Sequence, residues 1–166
     1  MRFAPAAATL SLCLVVTASI TNAGEVGTPD PLAAALIAQG QASLAAGEVQ
    51  AATDAFEAAL AVDPGFTPIL VDLAEAARQQ GLQGKAIRYY REALDRDPGN
   101  FAAISGEGTA LVEKGAVEKA KLNLAKLQSL CGDVCPETIA LQSSITRGPS
   151  PRLAIESEAD DLPASN

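Results

Sequence analysis

Apolar side chains recur every three to four residues through the middle of the chain, in two stripes separated by a glycine. The first stripe consists of Leu70, Leu73, Ala74 and Ala77. The second consists of Ala86, Ile87, Tyr90, Ala93 and Leu94. This spacing is typical of amphipathic helices, and Gly81 between the stripes interrupts the chain. The pattern therefore predicts two helices packed against each other as an antiparallel hairpin.

The hairpin pattern repeats every 34 residues, which is the spacing from Gly40 to Ala74 and from Ala74 to Gly108. Two more sets keep this register: Gly47, Gly81 and Gly115, and Ala52, Ala86 and Ala120. A hairpin of this length cannot bury its own apolar face and is stabilised by stacking on its neighbours. We therefore expect an all-α solenoid of three repeats, at about residues 33–66, 67–100 and 101–134.

Helix boundaries in this pattern are marked by capping residues and prolines. Asp30-Pro31 and Thr67-Pro68 each place a capping side chain before a proline suited to the first helical turn, and Asn100 can cap the third repeat. Asp63-Pro64-Gly65 and Asp97-Pro98-Gly99 end the second helices of repeats one and two. Six helices of about three to four turns are expected.

The second helices of the first two repeats resemble the tetratricopeptide repeat. The segments Ala52–Phe56 and Ala86–Tyr90, followed by Asp63-Pro64 and Asp97-Pro98, keep that family's spacing of alanine, aromatic residue and proline. The third repeat is degenerate, because it has Leu124 in place of the aromatic residue and lacks the Asp-Pro pair. The resemblance covers about two-thirds of the chain.

Similarity to this family implies a right-handed superhelix whose concave face is lined by the first helix of each repeat. The candidate partner-binding residues lie on those helices and off the buried stripe: Ile37, Gln41, Leu44, Val71, Glu75, Arg78, Ser105, Thr109 and Val112. Partial burial under the amino-terminal segment is the alternative for Ile37 and Val71. Chaperone-binding members of the family hold a terminal carboxylate with paired Lys and Asn residues. Such a set is missing here, so we expect no carboxylate clamp.

Gly106 lies inside the predicted first helix of the third repeat, where glycine costs about 1 kcal/mol relative to alanine. One interpretation is that another group approaches its backbone closely. The other is that a degenerate terminal repeat tolerates one poor helix former.

The amino terminus has the pattern of a secretory signal peptide. Arg2 precedes an apolar stretch from Ala6 to about Ile20, and the small residues of Thr21–Ala23 suit cleavage before Gly24. An uncleaved anchor is the alternative, but the apolar stretch is shorter than the roughly 20 residues of a spanning helix. Lipidation is not expected, because Cys13 lies in the middle of the apolar stretch. We expect export to a bacterial periplasm, or secretion as the alternative, and a linker over residues 24–30.

The charge balance argues against nucleic acid as a partner. The chain has 12 basic and 20 acidic residues, and loss of Arg2 with the signal peptide leaves 11 against 20, a net charge of −9. Phosphate binding needs clustered Lys and Arg, which are scattered among acids here. An anionic membrane surface is disfavoured for the same reason, and no stable membrane insertion is expected after cleavage.

Two cysteines remain in the mature chain, Cys131 and Cys135, and an oxidising compartment favours a disulfide between them. Thiol–disulfide catalysis is the alternative, although a thioredoxin-like site has two intervening residues rather than three. A metal site is not expected from two thiolates in a chain without histidine.

A helix over residues 136–147 is expected to cap the third repeat, which completes a domain over residues 31–147.

Residues 148–166 are rich in proline, serine and acids, so we expect a disordered acidic tail. A short binding motif at Leu153–Ile155 is an alternative.

Catalysis is not expected, because the chain has no histidine and no glycine-rich phosphate loop, and no cofactor is implied. The sequence predicts a non-catalytic exported scaffold that binds a protein or peptide. The alternatives are a self-assembling structural module, which would be a homo-oligomer, and a thiol–disulfide factor.

Overall fold

The computed structural model describes residues 27–149. These residues form seven helices: α1 Pro31–Ala45, α2 Val49–Val62, α3 Pro68–Gln79, α4 Gln83–Arg96, α5 Phe101–Glu113, α6 Val117–Cys131 and α7 Pro136–Arg147. No β-strand occurs among the described residues. The predicted signal peptide, the first three residues of the predicted linker and the tail from residue 150 onwards lie outside them.

Consecutive helices pack as the antiparallel pairs α1–α2, α3–α4 and α5–α6, and each pair stacks on the next. Helix α7 packs against both α5 and α6. Contacts between α1 and α3, α3 and α5, and α5 and α7 place the odd-numbered helices side by side along one face. The predicted fold class, an all-α solenoid, is confirmed.

The turn inside each hairpin depends on one glycine with a left-handed backbone. Gly47, Gly81 and Gly115 have φ angles of 79°, 76° and 82°. The residue after each glycine donates a backbone hydrogen bond of 2.8 to 2.9 Å to a carbonyl five residues earlier, as from Leu82 to Ala77. A side chain would be strained in this conformation, which explains why glycine recurs in the sequence at this position.

Two of the three predicted helix caps form. The Asp30 carboxylate accepts from the Leu32 amide at 2.8 Å, and the Asn100 side chain accepts from the Ala103 amide at 2.9 Å. The prediction for Thr67 was wrong, because its side chain makes no capping hydrogen bond. Thr67 already has helical angles, φ −53° and ψ −37°, so its hydroxyl is not aimed at the first free amides as it would be from an extended residue.

Large side chains fill the space between helices where small residues let the backbones approach. Phe56 is fully buried, and a methyl group added at Gly40 would lie 2.5 Å from its ring. Leu141 of α7 is also fully buried, and a methyl group at Gly108 would lie 2.6 Å from its Cδ2 atom. Glycine at these positions therefore sets how closely the first helix of a repeat approaches its neighbour.

Candidate functional site

A groove of about 490 Å³ runs along the face formed by the odd-numbered helices. Helix α3 contributes Val71, Asp72, Glu75 and Arg78. Helix α5 contributes Ala102, Ser105, Gly106 and Thr109. Helix α7 contributes Pro136, Glu137 and Ala140, and Tyr90 of α4 reaches the groove from behind. The lining combines small, apolar and acidic side chains, and we call this surface the α3–α5–α7 groove.

Five of the nine predicted partner-binding residues line this groove: Val71, Glu75, Arg78, Ser105 and Thr109. Gln41 is exposed on α1, outside the groove lining, and Leu44 packs partly buried against the core of the first repeat.

Ile37 and Val112 do not fit the prediction, because both are buried in the core. Ile37 belongs to the apolar cluster around Phe56, so it is buried as the alternative stated, but the cover shown comes from neighbouring helices. Val112 is completely buried in the cluster that joins the second and third repeats. Helical spacing alone placed both residues off the buried stripe, but the adjacent repeat widens that stripe.

The contribution of α7 to the groove was not predicted, because this helix was expected only to cap the solenoid. Its first turn forms one wall of the groove, where the partly buried Glu137 lines it. The wall is fixed to α5, because the Ser105 hydroxyl donates a 3.1 Å hydrogen bond to the backbone carbonyl of Glu137. Asp72 was not predicted either, although it directly follows the predicted Val71. No signal in one sequence reports how α7 is oriented, since that depends on packing.

Arg78 is held by two carboxylates rather than left free for a ligand. It donates to both oxygens of Glu75, at 2.8 and 3.0 Å, and to Glu113 at the end of α5. Gln83 also donates to Glu113, at 3.1 Å. Burial alone would raise the pKa of Glu75, but the hydrogen bonds and charge of Arg78, with Gln79 and Tyr90, lower it. Through its bond to Glu113, Arg78 therefore joins the second repeat to the third.

Asp72 differs from Glu75, because burial in the groove raises its pKa and a hydrogen bond from Gln41 offsets this only in part. Among residues 27–149, neither Asp72 nor Glu137 forms an ion pair. These two carboxylates therefore face the groove without a cation.

Gly106 has a steric role at the back of the groove. A methyl group built on it would overlap the ring of Tyr90 and lie 2.6 Å from the hydroxyl oxygen. Tyr90 is only 2% exposed, and its hydroxyl donates to Glu75 at 3.4 Å. Burial, and then the charge of Glu75, raise the pKa of Tyr90, so the hydroxyl stays protonated. The close-approach interpretation of Gly106 is correct, and the approaching group is the tyrosine ring.

Cys131 ends α6 and Cys135 precedes α7, with their Cα atoms 5.7 Å apart and their sulfur atoms in contact. This separation lies within the range of disulfides. The Cys135 sulfur lies 3.0 Å from a carboxylate oxygen of Glu137, so the pair adjoins the groove wall.

No cluster of three or more metal-ligating side chains occurs between residues 27 and 149. Within the same range, no helix is long and apolar enough to cross a membrane.

The tetratricopeptide repeat profile matches residues 37–101 and, in an overlapping match, residues 71–125. Together the matches span more than half of the 166-residue chain. The chain belongs to the tetratricopeptide repeat family. No curated protein sequence matches it significantly.

Solved tetratricopeptide repeat structures share the fold. The Sgt2 domain from Aspergillus fumigatus has a TM-score of 0.65 at 23% identity, covering 84% of this chain and 90% of the Sgt2 chain. The first such domain of Spaghetti (RPAP3), bound to the HSP90 peptide SRMEEVD, has a TM-score of 0.63 at 20% identity, covering 74% and 94%. The Yersinia enterocolitica secretion chaperone SycD, in complex with a peptide of the translocator YopD, has a TM-score of 0.60 at 19% identity, covering 69% and 86%. At these identities the likeness concerns the fold.

Proposed function

We propose that this protein is a non-catalytic exported scaffold that holds a segment of another protein in the α3–α5–α7 groove. The observation that carries the proposal is a groove of about 490 Å³ formed by the first helices of the second and third repeats together with α7. Two structures with this fold, those of RPAP3 and SycD, were solved with bound peptides. A groove of this size accommodates a few side chains of an extended or helical segment.

The lining is suited to binding without chemistry. Its small residues, such as Ala102 and Ala140, leave room for a partner backbone, and Val71 supplies an apolar contact. The ionised side chains Glu75 and Arg78 are engaged with each other, and Arg78 also binds Glu113, which fits a structural role for these charges. We therefore propose a role in recognition.

The groove is best tested by filling it. Ala102 is exposed in the groove on α5, so Ala102→Trp adds bulk there without entering the core. Ala125 on α6 is also exposed and lies outside the groove lining, and Ala125→Trp is the matched control. Arg78 is a poor target, because its removal would leave two partly buried carboxylates unpaired.

Tagged protein expressed from the full chain would be cross-linked in intact cells, and its partners identified by mass spectrometry. We expect Ala102→Trp to lose specific partners that wild type and Ala125→Trp retain. An identical set of partners from both variants would contradict binding in the groove.

Export and a Cys131–Cys135 disulfide complete the proposal. Amino-terminal sequencing of the purified protein should show that it begins at Gly24, and a start at Met1 would contradict cleavage.

A Cys131–Cys135 bridge, which closes so short a loop, adds about 2 kcal/mol to the stability of the folded state on the chain-entropy model. Replacing both cysteines by serine should lower the free energy of unfolding by about that amount and leave groove binding unchanged. A loss of activity without a loss of stability would instead favour a thiol–disulfide factor.

Self-assembly is the second candidate, since three large apolar side chains are exposed near the carboxyl end of the repeats. Leu130, Val134 and Ile139 are 49%, 86% and 53% exposed. Light scattering of the purified protein would report a mass above that of the monomer if these residues join copies of the chain. The double variant Val134→Ser, Ile139→Ser should then restore the monomer mass.

A further inference from the structure

Charge is distributed unevenly between the two sets of helices. The even-numbered helices carry most of the basic residues: Lys85, Arg88, Arg91 and Arg96 on α4, and Lys119, Lys121 and Lys126 on α6. The odd-numbered helices, which form the groove face, carry only Arg78 and the terminal Arg147. The same face presents Asp72, Glu75 and Glu137 to the groove.

Within the groove, the single cation is already neutralised. Arg78 binds the carboxylates of Glu75 and Glu113, whereas Asp72 and Glu137 form no ion pair with any residue of the described range 27–149. The groove therefore has an excess of negative charge, which attracts a cationic group.

The hydrogen-bonding groups lead to the same conclusion independently of net charge. The Ser105 hydroxyl donates to the Glu137 carbonyl, the Tyr90 hydroxyl donates to Glu75, and the Arg78 guanidinium donates to two carboxylates. The strongest donors of the lining are thus already used. The carboxylates of Asp72 and Glu137 remain as acceptors, so a matching partner has to bring donors.

We propose, building on the groove function above, that the bound segment is basic and places a Lys or Arg side chain between Asp72 and Glu137. Val71, Ala102 and Ala140 provide apolar surface for the aliphatic part of that side chain. A partly desolvated carboxylate without an ion-pair partner gains more from an incoming cation than a hydrated one does. Burial that raises the pKa of Asp72 agrees with this.

An acidic peptide is the opposite case. The HSP90 peptide bound to RPAP3 ends in Glu-Glu-Val-Asp, and its carboxylates would face those of Asp72 and Glu137 here. This makes the peptide SRMEEVD a suitable negative probe.

The test uses a displayed library of random 12-residue peptides, selected on protein purified after expression of the full chain. We expect the selected peptides to be enriched in Lys and Arg, and the peptide SRMEEVD not to bind. Affinity for one selected basic peptide should fall about three- to tenfold in Asp72→Asn and in Glu137→Gln. It should also weaken as salt is added. Asp95→Asn, an exposed change of equal charge on α4, is the control and should bind as wild type does.

Stability separates a binding role of Asp72 from a structural one. Since burial disfavours its charge, Asp72→Asn should keep or increase the free energy of unfolding while it weakens peptide binding. A variant that loses both stability and binding would overturn the assignment of Asp72.

The charge inference and the groove function fail in different ways. The charge inference would be overturned if the selected peptides are acidic or neutral and their affinity is unchanged by Asp72→Asn and by salt. In that case the groove function still holds as long as Ala102→Trp blocks their binding. Peptides that bind Ala102→Trp as well as wild type would overturn the groove function itself.

Discussion

Replacing Gly106 by alanine tests the packing at the back of the groove. In a helix interior the change gains about 1 kcal/mol in helix propensity. Against this, the new methyl group would overlap the ring of Tyr90, which is 2% exposed. Overpacking of this kind costs about 1 to 3 kcal/mol, and we expect the upper end because a buried aromatic ring cannot move away. The expected net effect is a destabilisation of about 1 to 2 kcal/mol.

Two other glycines give the controls. A methyl group at Gly84 of α4 meets nothing within 4 Å, so Gly84→Ala should stabilise, by about 0.5 to 1 kcal/mol. A methyl group at Gly108 meets the branched end of Leu141, which adjusts more easily than a ring. Gly108→Ala should therefore fall between the other two variants.

Urea unfolding followed by circular dichroism would measure all three, with equal m-values as the condition for comparing them. In the background Tyr90→Leu, which removes the ring, Gly106→Ala should change sign and stabilise by about 1 kcal/mol. A steric clash between Gly106→Ala and the Tyr90 ring is refuted if Gly106→Ala is as stable as Gly84→Ala, or if its effect is the same with and without Tyr90.

Three further predictions concern caps and charges. Asn100→Ala should lower the free energy of unfolding by about 1 kcal/mol in urea titrations, whereas Thr67→Ala, which removes no capping bond, should change it by less than about half as much. Arg78→Gln should lower the free energy of unfolding by about 2 to 3 kcal/mol, because it leaves two partly buried carboxylates unpaired. Lys121→Gln, at an exposed ion pair, should lower it by under about 1 kcal/mol. Equal losses of stability in the two variants would contradict the role of burial. The folded-state pKa of Glu75 is lowered from 4.5. The stability that ionised Glu75 contributes is therefore present above that pH and is lost as the pH falls through the folded pKa. The difference in free energy of unfolding between wild type and Glu75→Gln should accordingly shrink in acid. A deficit that grows as the pH falls would show that this sign is wrong.

Much of the fold could be read from local chemistry. Gly81 and its counterparts were predicted to break the chain, and they adopt the left-handed turn that other residues avoid. The apolar stripes predicted the helix faces, and Tyr90 of the second stripe is buried as that pattern indicates. Thr67 shows the limit of this reasoning, since its role depended on backbone angles that the residue type does not fix.

The groove could be predicted only in part, because it is built by neighbours distant in the chain. Val71 and Thr109 followed from their position on first helices, and both line the groove. Glu137 did not, since its place depends on how α7 packs against α5. Val112 was assigned to the surface because the spacing within one helix does not show how much of it the next repeat covers.

The sequence by itself determined the repeat, its turns and the number of helices, because these depend on interactions within a few residues or on a fixed period. The tertiary structure decided which side chains face the groove and which of them are already paired. Arg78 is paired with Glu113, 35 residues away, and Gly106 meets a ring 16 residues earlier in the chain. Asp72 and Glu137 are left without a cation on opposite walls of the groove, on α3 and α7. Such pairings arise only when stacking brings separate repeats together, so no local pattern encodes them.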